Sequence, residues 1–292
     1  MRKSNKFAAL AAAAAFGVFG AHSANAAVVA AWSFEAIGTQ AQPYNTAPAT
    51  TGTGTATQLG MTNSYNFANG EGPGSVASGD VLASPGASTG AGSYGWRIRG
   101  NGNTANSGPG VANGWNSNAQ VATQGAQFDA STAGYTGPIT VSTDINVTAQ
   151  ATRNLAILYT LDDTATTPTW VPATLTSAGG GGSTIATGSG LNTINANYIQ
   201  LGAGTGGWDN LITASISDPL AAGDANFAVE IVNASTGADD VNISGAALNN
   251  SSGNWRYDNV VISGTAVPEP ASMGLLGLAG VALLKRRRNT TA

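Results

Sequence analysis

An all-β sandwich is the fold class this sequence predicts, and three observations carry it. Short runs rich in Val, Ile, Thr and aromatic residues recur along the chain, separated by turn-forming Gly and Asn. Forty glycines and abundant Thr, Ser and Asn disfavour helix and supply turns. No helix-like stretch longer than the apolar runs at the two ends interrupts the series.

The N-terminus reads as a cleaved leader. Arg2, Lys3 and Lys6 form a positive segment, Phe7 to Gly20 a short apolar one, and Ala24-Asn25-Ala26 supplies the small residues a signal peptidase needs. Cleavage is expected before Ala27, leaving residues 27–265 as one secreted β-domain after a leader at 1–26.

Within that domain, Val28–Glu35 reads as the first strand, and Gly38 to about Thr57 as a long loop of Thr, Gly, Ala, Gln and Pro. Weak strands are expected at Ser64–Ala68 and Tyr94–Arg99. Tight turns are expected at Asn101-Gly102 and Asn113-Gly114. The clearest strand is Pro138–Thr148. Ile139, Val141, Ile145 and Val147 share one face with Thr143, and Thr140, Ser142, Asp144, Asn146 and Thr148 share the other. Asn154–Leu161 follows, then a turn at Asp162-Asp163 and a return strand at Thr169–Leu175 carrying Trp170. Gly179–Gly182 reads as a flexible loop tip. Tyr198–Leu201, Leu211–Ile216, Phe227–Asn233 and Trp255–Ser263 complete the series.

The C-terminus has three parts in order. Pro268, Glu269 and Pro270 hold the backbone extended, so a helix can begin only after them. Ala271 to Leu284 is an uncharged run of 14 residues, a helix of about 21 Å against a hydrocarbon core of roughly 30 Å. Lys285, Arg286, Arg287 and Arg288 then form a basic stop that stays cytoplasmic. A marginal span of this kind suits transient membrane anchoring until the tail is cut; the alternative is a permanent C-terminal anchor. The pattern at 267–290 resembles the PEP-CTERM sorting signal. That resemblance implies recognition by an exosortase, a membrane-embedded transpeptidase-like protease, in a Gram-negative bacterium that makes extracellular polysaccharide.

Removing both ends changes the chemistry that remains. Residues 27–270 keep only Arg97, Arg99, Arg153 and Arg256 against all 15 acids, a formal charge of 4 − 15 = −11. Such a surface repels phosphate backbones, which excludes nucleic acid as an expected partner. The one histidine, His22, leaves with the leader, and the chain has no cysteine. A Ser-His-Asp triad, a thiol nucleophile, a zinc site and disulfides are therefore all unavailable to the mature chain.

Trp32-Ser33-Phe34-Glu35 near the start and Trp255-Arg256-Tyr257-Asp258-Asn259-Val260 near the end resemble the bracketing strands of secreted jelly-roll, concanavalin-like domains, and Asn154–Trp170 is similar too. The resemblance implies that the first and last strands adjoin, with Trp32, Phe34, Tyr257 and Val261 closing one core. It also suggests a structural calcium shared by Glu35 and Asp258, whose oxygens suit that ion. Asp162, Asp163, Asp239 and Asp240 are further acidic candidates in turns. The bland alternative is that these acids are solvated and that Asp258 ends a strand. Trp96, Trp115 and Trp208 sit among Gly and Asn, where an exposed ring could stack on a sugar; the alternative is that each belongs to the core. No catalytic residue is assigned. Glu35, Glu71 and Glu230 lie in no hydrolase pattern, and Glu230 is expected to face solvent.

The expectation is a non-catalytic secreted or cell-surface protein that associates with extracellular polysaccharide or binds glycans. The alternative is a secreted carbohydrate-active enzyme working through carboxylates.

Overall fold

The computed structural model describes residues 26–34, 46–60, 63–64, 95–99, 115–202, 208–248 and 253–267. Ala24, Glu35, Glu71, the Pro268-Glu269-Pro270 motif, the apolar run and the basic block lie outside the described residues, as do the turns at 101–102 and 113–114.

The described chain forms sixteen strands: β1 (Ala26–Trp32), β2 (Thr46–Pro48), β3 (Thr51–Gly52), β4 (Gly54–Leu59), β5 (Asn63–Ser64), β6 (Trp96–Arg99), β7 (Gly125–Ala130), β8 (Tyr135–Val147), β9 (Asn154–Thr160), β10 (Val171–Pro172), β11 (Thr174–Ala178), β12 (Thr184–Thr187), β13 (Asn197–Gln200), β14 (Trp208–Ile216), β15 (Ala228–Asn233) and β16 (Trp255–Ala266). They build two antiparallel sheets packed as a sandwich. The first runs β11-β14-β8-β16-β1-β3, with β6 also on β16 and β5 on β6. The second runs β12-β13-β9-β15-β7-β4-β2, with β10 on β9.

As expected, the first and last strands pair, from Ala26 opposite Thr265 to Trp32 opposite Val260. The paired strand starts at Ala26, one residue before the expected leader cut at Ala27. Trp32, Phe34 and Tyr257 are buried in the main core, but Val261 is replaced there by Val260 and Ile262. A bulge between Asp258 and Val261, with Asn259 at φ 47°, adds a residue and shifts the alternation.

The core is an aromatic chain between the sheets. Trp115 meets Trp255 at 4.3 Å, and Trp32 meets Phe128 at 5.2 Å. Tyr257 lies 5.8 Å from Phe128 and 6.1 Å from both Trp96 and Trp255. Each such ring removes roughly 150–250 Å² from water, so this cluster is a major source of stability in a domain without disulfides.

Part of the expected loop at 38–57 is instead strand, since β2, β3 and β4 lie in it. Its small-residue composition reflects close packing. A Cβ on Gly54 would lie 2.9 Å from Trp32 Cζ2, and Ala47 and Ala56 are buried beside it. The return strand at 169–175 also divides: Val171–Pro172 pairs with β9, whereas Thr174–Ala178 crosses to β14 in the other sheet. The glycine loop at 179–182 is packed in place. A Cβ on Gly179 would meet the Asn210 carbonyl at 2.6 Å, and one on Gly181 would collide with Asp209.

Candidate functional site

The three tryptophans nominated as sugar platforms are core or covered residues, which corrects that expectation. Trp96 and Trp115 are 1% and 0% exposed and point between the sheets. Trp208 lies on the outer face of the first sheet but is only 6% exposed. Its ring reaches the residue just before β6, where a Cβ on Gly95 would lie 3.0 Å from Cη2. Stacking needs an open ring face, and none of the three presents one.

That outer face holds several of the chain's charges. With Trp255 and Tyr257 in the core, Arg256 and Asp258 point the other way. Arg256 stands opposite Arg97 and Asn146, Asn146 opposite Trp208, and Asp258 opposite Asp144. Asp144 and Asn146, expected in solvent, are 0% and 2% exposed. The Asp144 carboxylate is clamped by bulges on both neighbouring strands. Its Oδ1 accepts from the Leu211 backbone N–H at 2.8 Å and its Oδ2 from Asn259 Nδ2 at 3.0 Å. Leu211 and Asn259 both take positive φ, 58° and 47°. Asp258 Oδ1 accepts from the Asn259 N–H at 2.7 Å, so this acid helps shape the bulge. Its expected calcium partner, Glu35, is outside the described residues. Among the described residues no group of three or more carboxylate or imidazole ligands is gathered for a metal.

A different site opens at the second sheet: a polar cleft of about 390 Å³. Arg153 and Asn154 enter it from the start of β9, Thr187 from β12, Tyr198 and Gln200 from β13, and Asp239 from the 3-10 turn Gly237–Asp239. Its walls are tied by backbone bonds. The Arg153 N–H donates to Val241 O at 3.0 Å, and the Arg153 carbonyl accepts from Leu201 N at 2.8 Å. Asn242 Oδ1 accepts from Ser244 N, Ser244 Oγ and Ala246 N, which fixes the rim turn.

Hydrogen-bond direction is set in the floor of the cleft. Asn154 Nδ2 donates to Ser235 Oγ and to the Asp239 carbonyl, both at 2.9 Å, and Ser235 Oγ donates to Asp240 Oδ1 at 3.3 Å. Two lining atoms are buried without a protein partner: Asn154 Oδ1, an acceptor, and Arg153 Nε, a donor. Asn154 is only 2% exposed. Unpaired buried polar groups cost about 1–3 kcal/mol each, and a ligand with suitable groups recovers that cost.

Burial raises five of the described acids above their ordinary titration range, Asp129 and Asp163 among them, and three of the five shift furthest. Asp240, beneath the cleft, is pushed up to about 7 by burial, opposed by hydrogen bonds from Thr152 and Ser235. Asp209, capped by Ser183 and the glycine loop, rises to about 6 through burial. Glu230 was expected in solvent but is 5% exposed on the second sheet, and burial raises it to about 8. Val232 and Leu158, on the same outer face, belong to a satellite apolar cluster there, which displaces water from around Glu230.

Sequence reasoning did not find the cleft. The one legible signal was Arg153, one of four cations in residues 27–270. Its neighbours are Thr, Asn, Gln and Tyr, indistinguishable in the sequence from many other such residues.

The family model for the PEP-CTERM protein-sorting motif matches residues 266–288. It begins where β16 ends, at Ala266. The chain thus carries a signal for export to the surface or beyond, with an exosortase as the processing partner that the motif implies. No curated protein and no solved structure matches the chain.

Proposed function

We propose that the β-sandwich is a non-catalytic glycan-binding module, delivered by its sorting motif into the extracellular polysaccharide of a Gram-negative bacterium. The observation that carries this reading is the cleft at Arg153 and Asn154, with one buried donor and one buried acceptor unpaired. A sugar hydroxyl donates and accepts at once, so a polyol suits such a mixed pair. A cation would satisfy the Asn154 oxygen but be repelled by the guanidinium. The volume falls within the range of small-ligand pockets. Catalysis has less support, because residues 27–270 contain no His, Lys or Cys.

A glycan array probed with the exported protein, paired with a polysaccharide hydrolysis screen, tests the reading. Binding is expected without turnover, and Asn154→Ala or Gln200→Ala should weaken it at least tenfold. Turnover abolished by Glu230→Gln would favour carboxylate chemistry instead.

A further inference from the structure

The cleft's own charge narrows the ligand class. Arg153 is the cation in its lining, and among the described residues no carboxylate pairs with its guanidinium. That is unusual for a region with a formal charge of 4 − 15 = −11, where acids outnumber cations almost four to one. Two acids adjoin the cleft, and neither is paired with Arg153. Asp240 lies beneath the floor, bonded to Ser235. Asp239 lends its backbone carbonyl to Asn154 and carries its own carboxylate on an exposed residue at the rim. The guanidinium therefore lines the cleft without a counter-ion among the described residues.

We infer that the cleft takes a carboxylate-bearing sugar, a uronic acid residue of an acidic polysaccharide, whose carboxylate pairs with Arg153 while its hydroxyls engage Asn154 and Gln200. This rests on the glycan-binding reading and adds the charge of the sugar to it. A guanidinium offers a planar fork that matches a carboxylate with two parallel N–H···O bonds, stronger than neutral ones. The domain's overall negative charge opposes this approach, but at physiological salt that repulsion is screened beyond about 8 Å, whereas the contact at Arg153 is not. Asp239 sets the opposite pull. Its carboxylate at the rim disfavours an anionic ligand, so removing that charge should improve binding.

The test is isothermal titration of the exported protein with a tetramer of galacturonic acid and with its carboxyl-reduced counterpart, in about 0.15 M salt. The acid tetramer is expected to bind at least tenfold tighter than the reduced one. Arg153→Gln should erase that preference, costing the acid tetramer at least tenfold more affinity than it costs the reduced one. Arg153→Lys should keep part of the preference, and Asp239→Asn should strengthen binding of the acid tetramer alone. Equal binding of both tetramers to the wild type would overturn the inference and leave the glycan reading standing. A preference for the acid form that survives Arg153→Gln in a protein with unchanged melting would also overturn it, by placing the carboxylate elsewhere. Failure of every glycan to bind would overturn both.

Discussion

The Tyr257 hydroxyl, on a central strand of the first sheet, donates to the Ile231 carbonyl, on the central strand of the second, at 2.9 Å. The bond crosses the aromatic core and fixes how the two sheets face each other. Tyr257→Phe keeps the ring and loses only this bond. It should cost about 1 kcal/mol and lower the melting midpoint by about 2–4 °C. Tyr257→Leu also loses the contacts with Trp96, Phe128 and Trp255 and should cost about 3 kcal/mol. Thermal unfolding of both variants checks the order, and equal losses would place the effect in the hydroxyl alone.

Asn259 serves the bulge of β16 twice, by accepting a φ of 47° and by donating to Asp144. Asn259→Gly preserves the backbone and removes the amide, whereas Asn259→Val strains the backbone as well. The valine variant should be less stable than the glycine variant by about 1–2 kcal/mol in denaturant titration. A glycine variant no more stable than the valine one would show that the amide bond alone matters.

Glu230 makes stability depend on pH in a defined direction. Its folded value, about 8, lies above its ordinary 4.5, so the folded state holds the proton more tightly. The contribution is complete below about pH 4.5, declines as pH rises, and is lost above about pH 8. Asp240, rising from 3.8 to about 7, and Asp209, from 3.8 to about 6, act with the same sign. Glu230→Gln is neutral throughout. It should match the wild type near pH 5 and melt several degrees higher near pH 9. Melting curves that stay parallel across this range would show that Glu230 ionises freely in the fold.

The final strand completes the first sheet from its middle, since β16 lies between β8 and β1 and also carries β6. Ending the chain after Asn254 should therefore abolish cooperative unfolding. Ending it after Val267, whose N–H still bonds Gly134 O at 2.8 Å, should leave the melting curve intact. Circular dichroism during heating separates the two truncations, and a folded product from the shorter one would contradict the central role of β16.

Local features were legible in the residues alone. The sorting motif at the C-terminus is contiguous and depends on no fold. The alternation of Ile139, Val141 and Ile145 marks a strand with one face in the core, because successive side chains on a strand point to opposite sides. The jelly-roll resemblance also led correctly to the pairing of the first and last strands. What covers the other face was not legible. Asp144, Asn146, Glu230 and Trp208 are polar or aromatic residues on outer faces, and only the tertiary structure shows them withdrawn from water. The bulge that exchanges Val261 for Val260 is likewise invisible to a period-two pattern, since one extra residue at positive φ inverts it. The cleft lay furthest from sight. Arg153, Thr187, Tyr198 and Asp239 come from separate elements, and folding alone brings them together. Hydrogen bonds and burial, set by neighbours distant in sequence, decide which of the many similar polar residues of this chain are left with something to bind.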